Sequence, residues 1–207
     1  KIMEKRPEMK ESVGAIYYAF NKADGTDFDL TKYDEIVKSQ TVKKVGVSEN
    51  DEDVKVHASG KTYAQISSKS DEDISVETIA FDYEDLVKMR GDIITKNGLV
   101  FNNASPKKPY FAFGKVVHLT NGKYRLDWYP KCQLKSNTDD TTAKEEKFSE
   151  QTDTIVINAM PFDEANNIKT SISNELKSFP EGMTIDKFFS QVITSEADLD
   201  KLVIQAA

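Results

Sequence analysis

Apolar and polar residues alternate most clearly across residues 110–137, YFAFGKVVHLTNGKYRLDWYPKCQLKSN. Both halves of this stretch are rich in β-branched and aromatic residues. Asn121-Gly122 provides the two positive φ angles that a type I′ turn requires. The stretch therefore predicts a long β-hairpin, in which Leu119 faces Tyr124 and Val117 faces Leu126.

The same alternation predicts one apolar and one polar face for this hairpin, since successive side chains of a strand point to opposite sides. The apolar face would hold Val117, Leu119, Tyr124, Leu126, Trp128, Cys132 and Leu134. The polar face would hold His118, Arg125, Asp127, Tyr129, Lys131, Gln133 and Lys135. Such a pattern is typical of an antiparallel sheet with one side in the core and the other in water.

Further strands are predicted at residues 13–20, 54–58, 62–68, 74–81 and 153–159, with two short ones within 33–47. One helix is well marked over residues 81–91, because Asp82 is a good N-cap and Gly91 a good C-terminal residue. Shorter helices are predicted at 184–193 and from Ser195 onward. Strands therefore dominate the pattern.

Polar stretches divide the chain into smaller parts. Residues 1–12 predict a flexible N-terminal arm, and residues 136–151 have almost no apolar content and predict a long mobile loop. The acidic runs at 49–53 and 71–73 are interpreted as solvated loop tips. Residues 162–207 form a C-terminal segment of different character, and the whole of 1–207 is expected to be one domain.

Composition narrows the class of protein. A net charge of −7 argues against nucleic-acid binding through phosphate neutralisation, which needs clustered Lys and Arg. A single cysteine rules out an internal disulfide. No apolar run approaches the roughly 20 residues that a membrane helix needs.

The motifs of common enzyme and cofactor sites are missing from the sequence. It holds two histidines and no Gly-x-Ser-x-Gly, zinc-spaced Cys/His cluster or phosphate-binding glycine loop. The spacing of Asp24, Asp27 and Asp29 approaches that of a calcium loop, but the glycine and the final glutamate are misplaced, so a turn is predicted there. No catalytic, cofactor-binding or metal-binding residue is therefore predicted.

The order of the segments resembles a known family. VGAIYYAF and its Asp-Gly turn are followed by KKVGVSENDEDVKVHASGKTYAQISSKSDEDISVETIAFDYEDLVKMRG, then PYFAFGKVVHLTNGKYRLDWYPKCQL and KEEKFSEQTDTIVINAMPFD. In this order they resemble the major tail (tail tube) proteins of long non-contractile-tailed phages, or siphophages, of Gram-positive bacteria. The resemblance covers essentially the whole chain.

That resemblance implies a mainly β fold with a flanking helix, in which two antiparallel sheets pack together as a sandwich or barrel. It also implies stacked hexameric rings that enclose a tape-measure protein and later conduct DNA. Further partners would be the tail terminator and distal tail proteins. The protein would reside in the virion tail after assembly in the host cytoplasm, with no catalytic residue, cofactor or membrane contact.

Two sets of site residues follow as expectations. Six copies would carry 6 × −7 = −42, and acidic walls would repel phosphates and let DNA slide. Residues expected to line the lumen are Asp73, Ser75, Glu77, Asp127 and Asp153. Residues of the long loop expected to contact the next ring are Thr138, Asp139, Asp140, Lys144, Glu145, Lys147 and Phe148.

Two alternatives stay open at this point. One is a β-sandwich module of a virion that binds a host receptor or a carbohydrate, and it would need an exposed aromatic cluster to which Tyr110 and Tyr129 would contribute. The other is a hydrolase that uses His118. The missing motifs disfavour the hydrolase.

Overall fold

The structure is a computed structural model that describes residues 6–22, 28–58, 61–139, 141 and 151–204, with the backbone alone for 51–58 and 61–68. The strands are β1 (Lys10–Phe20), β2 (Val37–Ser39), β3 (Val42–Ala58), β4 (Lys61–Thr78), β5 (Ile93–Ile94), β6 (Val100–Phe101), β7 (Phe111–Leu119), β8 (Tyr124–Thr138), β9 (Asp153–Ala159) and β10 (Thr170–Ser173). The helices are α1 (Tyr83–Arg90), α2 (Ile185–Phe188) and α3 (Glu196–Ile204).

The strands form two antiparallel sheets of unequal size. The large one has eight strands in the order β2-β1-β7-β8-β9-β4-β3, with β10 beside the first half of β8, and the small one is β5-β6. Every strand pairing is antiparallel. The mainly β fold with few helices that the sequence predicts is therefore confirmed.

The large sheet bends so that its two ends meet across one apolar core. Side chains of β1, β7 and the middle of β8 pack in the same cluster as those of β9, β4 and β3, and β1 comes into contact with β3. We call this cluster the inner core. It includes Ile16, Tyr18, Phe20, Ile74, Val76, Phe111, Phe113, Tyr129, Cys132, Leu134, Ile155 and Ile157.

A second apolar layer, the outer core, lies on the opposite side of β1, β7 and β8. The C-terminal segment builds it by packing Phe188, Phe189 and Ile193 on Tyr17 and Trp128. Phe189 stacks on Tyr17 with ring centroids 3.9 Å apart, and the Trp128 indole N–H donates to the Phe188 carbonyl at 3.3 Å. The C-terminal segment is thus part of the fold.

Helix α1 has the ends that the sequence predicts. The Asp82 side chain accepts a hydrogen bond from the Asp85 backbone N–H at 3.0 Å, and Gly91 ends the helix with φ +74°. Val87 and Met89 are buried. Tyr18 donates to the Asp85 carboxylate at 2.5 Å, which ties the helix to β1.

The predicted hairpin is present, but its register differs by one residue. Asn121 and Gly122 adopt φ +57° and +69°, as the type I′ turn requires. The Thr120 N–H, however, donates to the Met9 carbonyl at 2.9 Å, while the Leu119 N–H donates to the Lys123 carbonyl at 2.8 Å. Thr120 is therefore an extra residue next to the turn.

This extra residue brings Val116 opposite Leu126 and Gly114 opposite Trp128. A second irregularity, between the Phe113–Tyr129 and Phe111–Cys132 pairs, moves Cys132 and Leu134 to the same side as Tyr129. The prediction of one apolar and one polar face is therefore wrong for this hairpin. Along β7 and the first half of β8 both faces are buried, one in the inner core and the other under the C-terminal segment.

The acidic runs are not loop tips. Strands β3 and β4 are continuous through both runs and pair Glu49 with Glu72 and Asn50 with Asp71. Lys69 Nζ contacts both the Glu49 and Glu72 carboxylates, so an ammonium offsets the repulsion between the facing acids. The predicted separate strands at 62–68 and 74–81 are one strand, β4.

Three other boundaries differ from the prediction. The N-terminal arm is shorter than expected, because β1 begins at Lys10. The predicted helix at 184–193 is reduced to α2, and the C-terminal segment also contains the strand β10. Strand β8 continues to Thr138, two residues past the start of the predicted loop, because its last residues pair with β9.

Candidate assembly surfaces

The strands β8 (second half), β9, β4 and β3 form a four-stranded surface whose outward side chains are polar. Cross-strand pairing aligns these side chains in three rows: Gln133, Asn158, Asp73 and Ser48; Ser136, Val156, Ser75 and Gly46; Thr138, Thr154, Glu77 and Lys44. Their inward neighbours Ile155, Ile157, Ile74 and Val76 are buried in the inner core. We call this surface the polar face.

Hydrogen bonds across the strands order one end of the polar face. Asp73 accepts from Lys135 Nζ at 2.5 Å and from Asn158 Nδ2 at 3.2 Å. Burial alone would raise the pKa of Asp73, but hydrogen bonds from Lys135, Asn158 and Asn50 outweigh it and lower the pKa below its ordinary value. The carboxylate is thus held ionised.

The polar face is only weakly acidic in the described residues. Lys44 and Lys135 offset two of the three carboxylates of Asp71, Asp73 and Glu77, which leaves a net charge of 2 − 3 = −1. The overall charge of −7 is therefore not concentrated on this surface.

Three of the five residues expected to line a lumen share the polar face: Asp73, Ser75 and Glu77. Asp153 lies on β9 at the alternation of Ile155, so it belongs to the opposite side of that strand. Asp127 is 1% exposed and lies in the interior. Its placement on a wet surface is therefore wrong, because the bend of the sheet closes the inner core over this side of β8.

Asp127 belongs to a buried cluster of charged groups at one end of the inner core. It accepts hydrogen bonds from Arg125 Nε at 3.1 Å and Ser171 Oγ at 2.6 Å, and Lys115 Nζ lies 3.7 Å away. Burial lowers the pKa of the Lys115 ammonium, although the charge of Asp127 acts in the opposite direction. The sequence pattern placed Arg125 and Asp127 on a face in water and did not reveal this cluster.

The second half of β8 and the whole of β3 lack a strand partner on their far sides among the described residues. They are the two edges of the polar face. Lys108 Nζ donates to the carbonyls of Leu134 and Lys135 at the β8 edge, at 2.8 and 3.2 Å. A long free edge of this kind is a template for pairing with another chain.

The hairpin of β3 and β4 extends beyond the body of the sheet. β9 pairs with β4 only as far as Glu72, whereas β3 and β4 pair with each other to Ala58 and Lys61. At about 3.3 Å per residue the extension, which we call the ribbon, is roughly 30 Å long. An isolated two-stranded hairpin is only marginally stable in water, so the ribbon is suited to contact a partner.

The small sheet β5-β6 carries apolar side chains that face solvent. Ile93, Ile94, Leu99 and Phe101 are between 46% and 60% exposed. Gly98 follows Asn97 and has φ +80°, so a second Asn-Gly turn joins these strands. The Asn-Gly dipeptide was the sequence signal available for this small sheet.

The residues expected to contact a neighbouring ring are mostly outside the described residues. Asp140, Lys144, Glu145, Lys147 and Phe148 fall there, as does most of the predicted turn near Asp24. Thr138 ends β8, where its Oγ1 donates to the Thr154 carbonyl at 3.3 Å, and Asp139 is exposed.

The described residues give the alternative functions no assembled site. Tyr129 is buried and Tyr110 packs against Phe28, so they do not form an exposed aromatic cluster. Within the described ranges, no group of three or more His, Cys, Asp and Glu side chains is placed to hold a metal ion. No described helix has both the length and the apolar character to cross a bilayer.

Comparisons with known proteins find similarity only at the level of solved structures. No family model and no curated protein matches the chain. The cryo-EM structure of the anti-feeding prophage baseplate, symmetrised six-fold, aligns with a TM-score of 0.45 at 8% sequence identity. The alignment covers 82% of this chain and 97% of that chain. At this distance the similarity carries no functional assignment.

Proposed function

We propose that the chain is a structural protein of a phage tail that polymerises as stacked hexameric rings to form the tail tube. In this role it encloses a tape-measure protein and later conducts DNA. The observation that carries the proposal is the polar face: four strands with one side in the inner core, the other side in water, and both edges without a strand partner in the described part of the chain. Such a sheet is complete only when other copies continue it.

Ring formation follows from the two edges of the polar face. The β3 edge of one copy pairs with the β8 edge of the next, a head-to-tail contact that closes after six copies. Six copies of four strands give 6 × 4 = 24 strands. With strands about 4.8 Å apart and tilted by about 40°, the backbone barrel is roughly 50 Å wide, so an aqueous channel remains inside.

Residues Asp73, Ser75 and Glu77 line that channel in the proposed tube. Short polar side chains and a weakly acidic balance hold no phosphate, since binding the DNA backbone needs clustered Lys and Arg. The ribbon and the loop from Asp139 to Phe148 reach the adjacent ring. The tail terminator and distal tail proteins meet the same edges and ribbons at the two ends of the tube.

The first experiment is to concentrate the purified protein and image it by negative stain. Stacked rings are expected, whereas monomers that bind glycans would support the receptor- or carbohydrate-binding alternative. Turnover of a substrate that is lost in His118→Ala would support a hydrolase. Persistent monomers without rings contradict the proposal.

A shortened ribbon tests the contact between rings. Replacing residues 52–68 by Asn-Gly joins Asp51 to Lys69, which face each other in the hairpin. The variant is expected to fold, because these residues pair only with one another, and to lose stacking. Ser59→Asn, which keeps the full ribbon, is the matched control. Normal tubes from the shortened variant would refute this role of the ribbon.

Deleting residues 140–148 tests the loop separately. Strands β8 and β9 stay intact because the deletion begins after Thr138, which pairs with Thr154. We expect a folded monomer with impaired stacking. Wild-type polymerisation by this variant would leave the ribbon as the contact between rings.

A further inference from the structure

A cleft opens between the start of β1 and the first part of β3, at the end of the inner core that carries the charged cluster. Its volume is about 380 Å³, within the range of ligand sites. Lys10 and Val13 of β1 and Val45 and Val47 of β3 form its two sides. Lys115, Arg125, Tyr129 and Lys169 also line it.

Lys115 supplies the strongest indication that the cleft takes a ligand. The residue is only 6% exposed, yet its ammonium lies 3.7 Å from Asp127, too far for a hydrogen bond. Asp127 already accepts from Arg125 and from Ser171. A buried ammonium normally needs close acceptors, and the cleft is where Lys115 can receive one.

The charge around the cleft is strongly positive for a chain of net charge −7. The lining contains six Lys or Arg residues and two Glu residues, a balance of +4. Adding Lys69, Glu72 and Asp127, which lie against these groups, gives seven cations and four anions, or +3. A concave site with a net positive charge focuses the electric field and concentrates anions.

From this geometry we infer that the cleft binds an oxyanion, a carboxylate or phosphate group, which contacts the Lys115 ammonium and the Arg125 guanidinium. Valine side chains on both sides leave room for a small apolar body beside the charged group. The oxyanion is either a dissolved anion or an acidic side chain of another copy of the chain.

Calorimetric titration of the unassembled protein with inorganic phosphate tests the inference. We expect saturable binding that weakens with added salt, and a loss of about tenfold or more in Lys115→Met, because hydrogen bonds to charged groups contribute about 1.5–3 kcal/mol. Lys177→Met, which removes an exposed lysine far along the chain, should bind phosphate like the wild type. Equal affinity of Lys115→Met and wild type, or no saturable binding, would overturn the inference.

A second measurement covers the case that Lys115→Met fails to fold. Side-chain NMR of labelled lysine in the wild type should show a phosphate-dependent shift of Lys115 that Lys177 lacks, and equal shifts would count against the site. Ring assembly with and without phosphate identifies the source: inhibition indicates an acidic side chain of another copy, and unchanged assembly a dissolved anion. Phosphate binding is measured on single copies, so its outcome is separate from that of the tube proposal.

Discussion

The two halves of the large sheet differ in how many faces they bury. Strands β1, β7 and the first half of β8 lie between the inner and outer cores, and residues 16–20 and 111–116 are buried without interruption. Strands β4 and β9 bury every second residue and leave the others at the polar face. One continuous sheet thus contains a double-sided layer and a single-sided layer.

This difference separates the part that makes a stable monomer from the part that is free to meet other copies. The C-terminal segment covers the second face of the double-sided half, so both faces of this half are buried within the chain. The single-sided half has a polar surface and two edges that lack a strand partner among the described residues. Mutations in the double-sided half should therefore affect folding. Mutations on the polar face of the single-sided half should mainly affect assembly.

The largest expected effect is at the contact of the C-terminal segment with the double-sided half. Phe189→Ala removes a ring that stacks on Tyr17 and lies 5.1 Å from Trp128. We expect a loss of about 4 kcal/mol in the free energy of unfolding, measured by urea denaturation, because a large cavity remains. A loss below about 1 kcal/mol would mean that the outer core is not part of the cooperative unit.

A smaller loss is expected from the charged cluster between the two halves. Asp127→Asn should cost about 3 kcal/mol, because it leaves the buried Lys115 ammonium without its counter-charge. Lys115→Met is the matched control and should cost much less, since Asp127 keeps Arg125 and Ser171. Denaturation of both variants gives the comparison, and equal losses would show that Lys115 matters as much as Asp127.

The sequence predicts the single-sided half better than the double-sided half. The alternation of Ser75 and Glu77 with Ile74 and Val76 correctly separates the polar face from the inner core. In β8, however, the alternation predicts a wet face for Asp127 and Tyr129, and the bend of the sheet buries both on the side of the inner core. The strands that close this core lie far away in sequence, so a local pattern cannot reveal the burial.

Register was the other source of error. Asn121-Gly122 correctly predicts the type I′ turn, but the turn alone does not fix which residues face each other. The Met9 carbonyl accepts a hydrogen bond from the Thr120 N–H. This contact depends on the start of β1, which lies more than a hundred residues away in sequence. The predicted pairing of Val117 with Leu126 failed for this tertiary reason, whereas the caps of α1 are local and were predicted correctly.

The stability that the C-terminal segment contributes should also depend modestly on pH. Burial alone would raise the pKa of Asp198, but hydrogen bonds from Thr194, Lys201 and Ser195 lower it to about 2. The stabilisation is present above the ordinary value of 3.8 and is lost as the pH falls towards about 2. We expect a loss of about 1 kcal/mol over this range, after allowance for solvent screening.

Thermal unfolding between about pH 6 and pH 2 checks this dependence. Asp198→Asn should be less stable than the wild type near neutral pH, and the difference should shrink as the pH falls. Asp200→Asn, an exposed change in the same helix, controls for net charge. A constant difference between Asp198→Asn and wild type would contradict the role of the Asp198 carboxylate.

The smallest effect is expected on the polar face. Val156 points outward from β9 in the middle row, between Ser75 and Ser136, and it is partly exposed. Val156→Thr should change the free energy of unfolding by no more than about 0.5 kcal/mol, because surface substitutions away from buried networks are usually neutral. Urea denaturation of the monomer measures it.

Its control is the next residue of the same strand. Ile157 is 0% exposed, so Ile157→Thr buries a hydroxyl and leaves a gap in the inner core, at an expected cost of about 2–3 kcal/mol. The two substitutions differ by one position and introduce the same residue, so only the side of the sheet distinguishes them. Comparable losses from both would mean that the polar face is covered within the single chain, and the sheet would then have no open surface for other copies to continue.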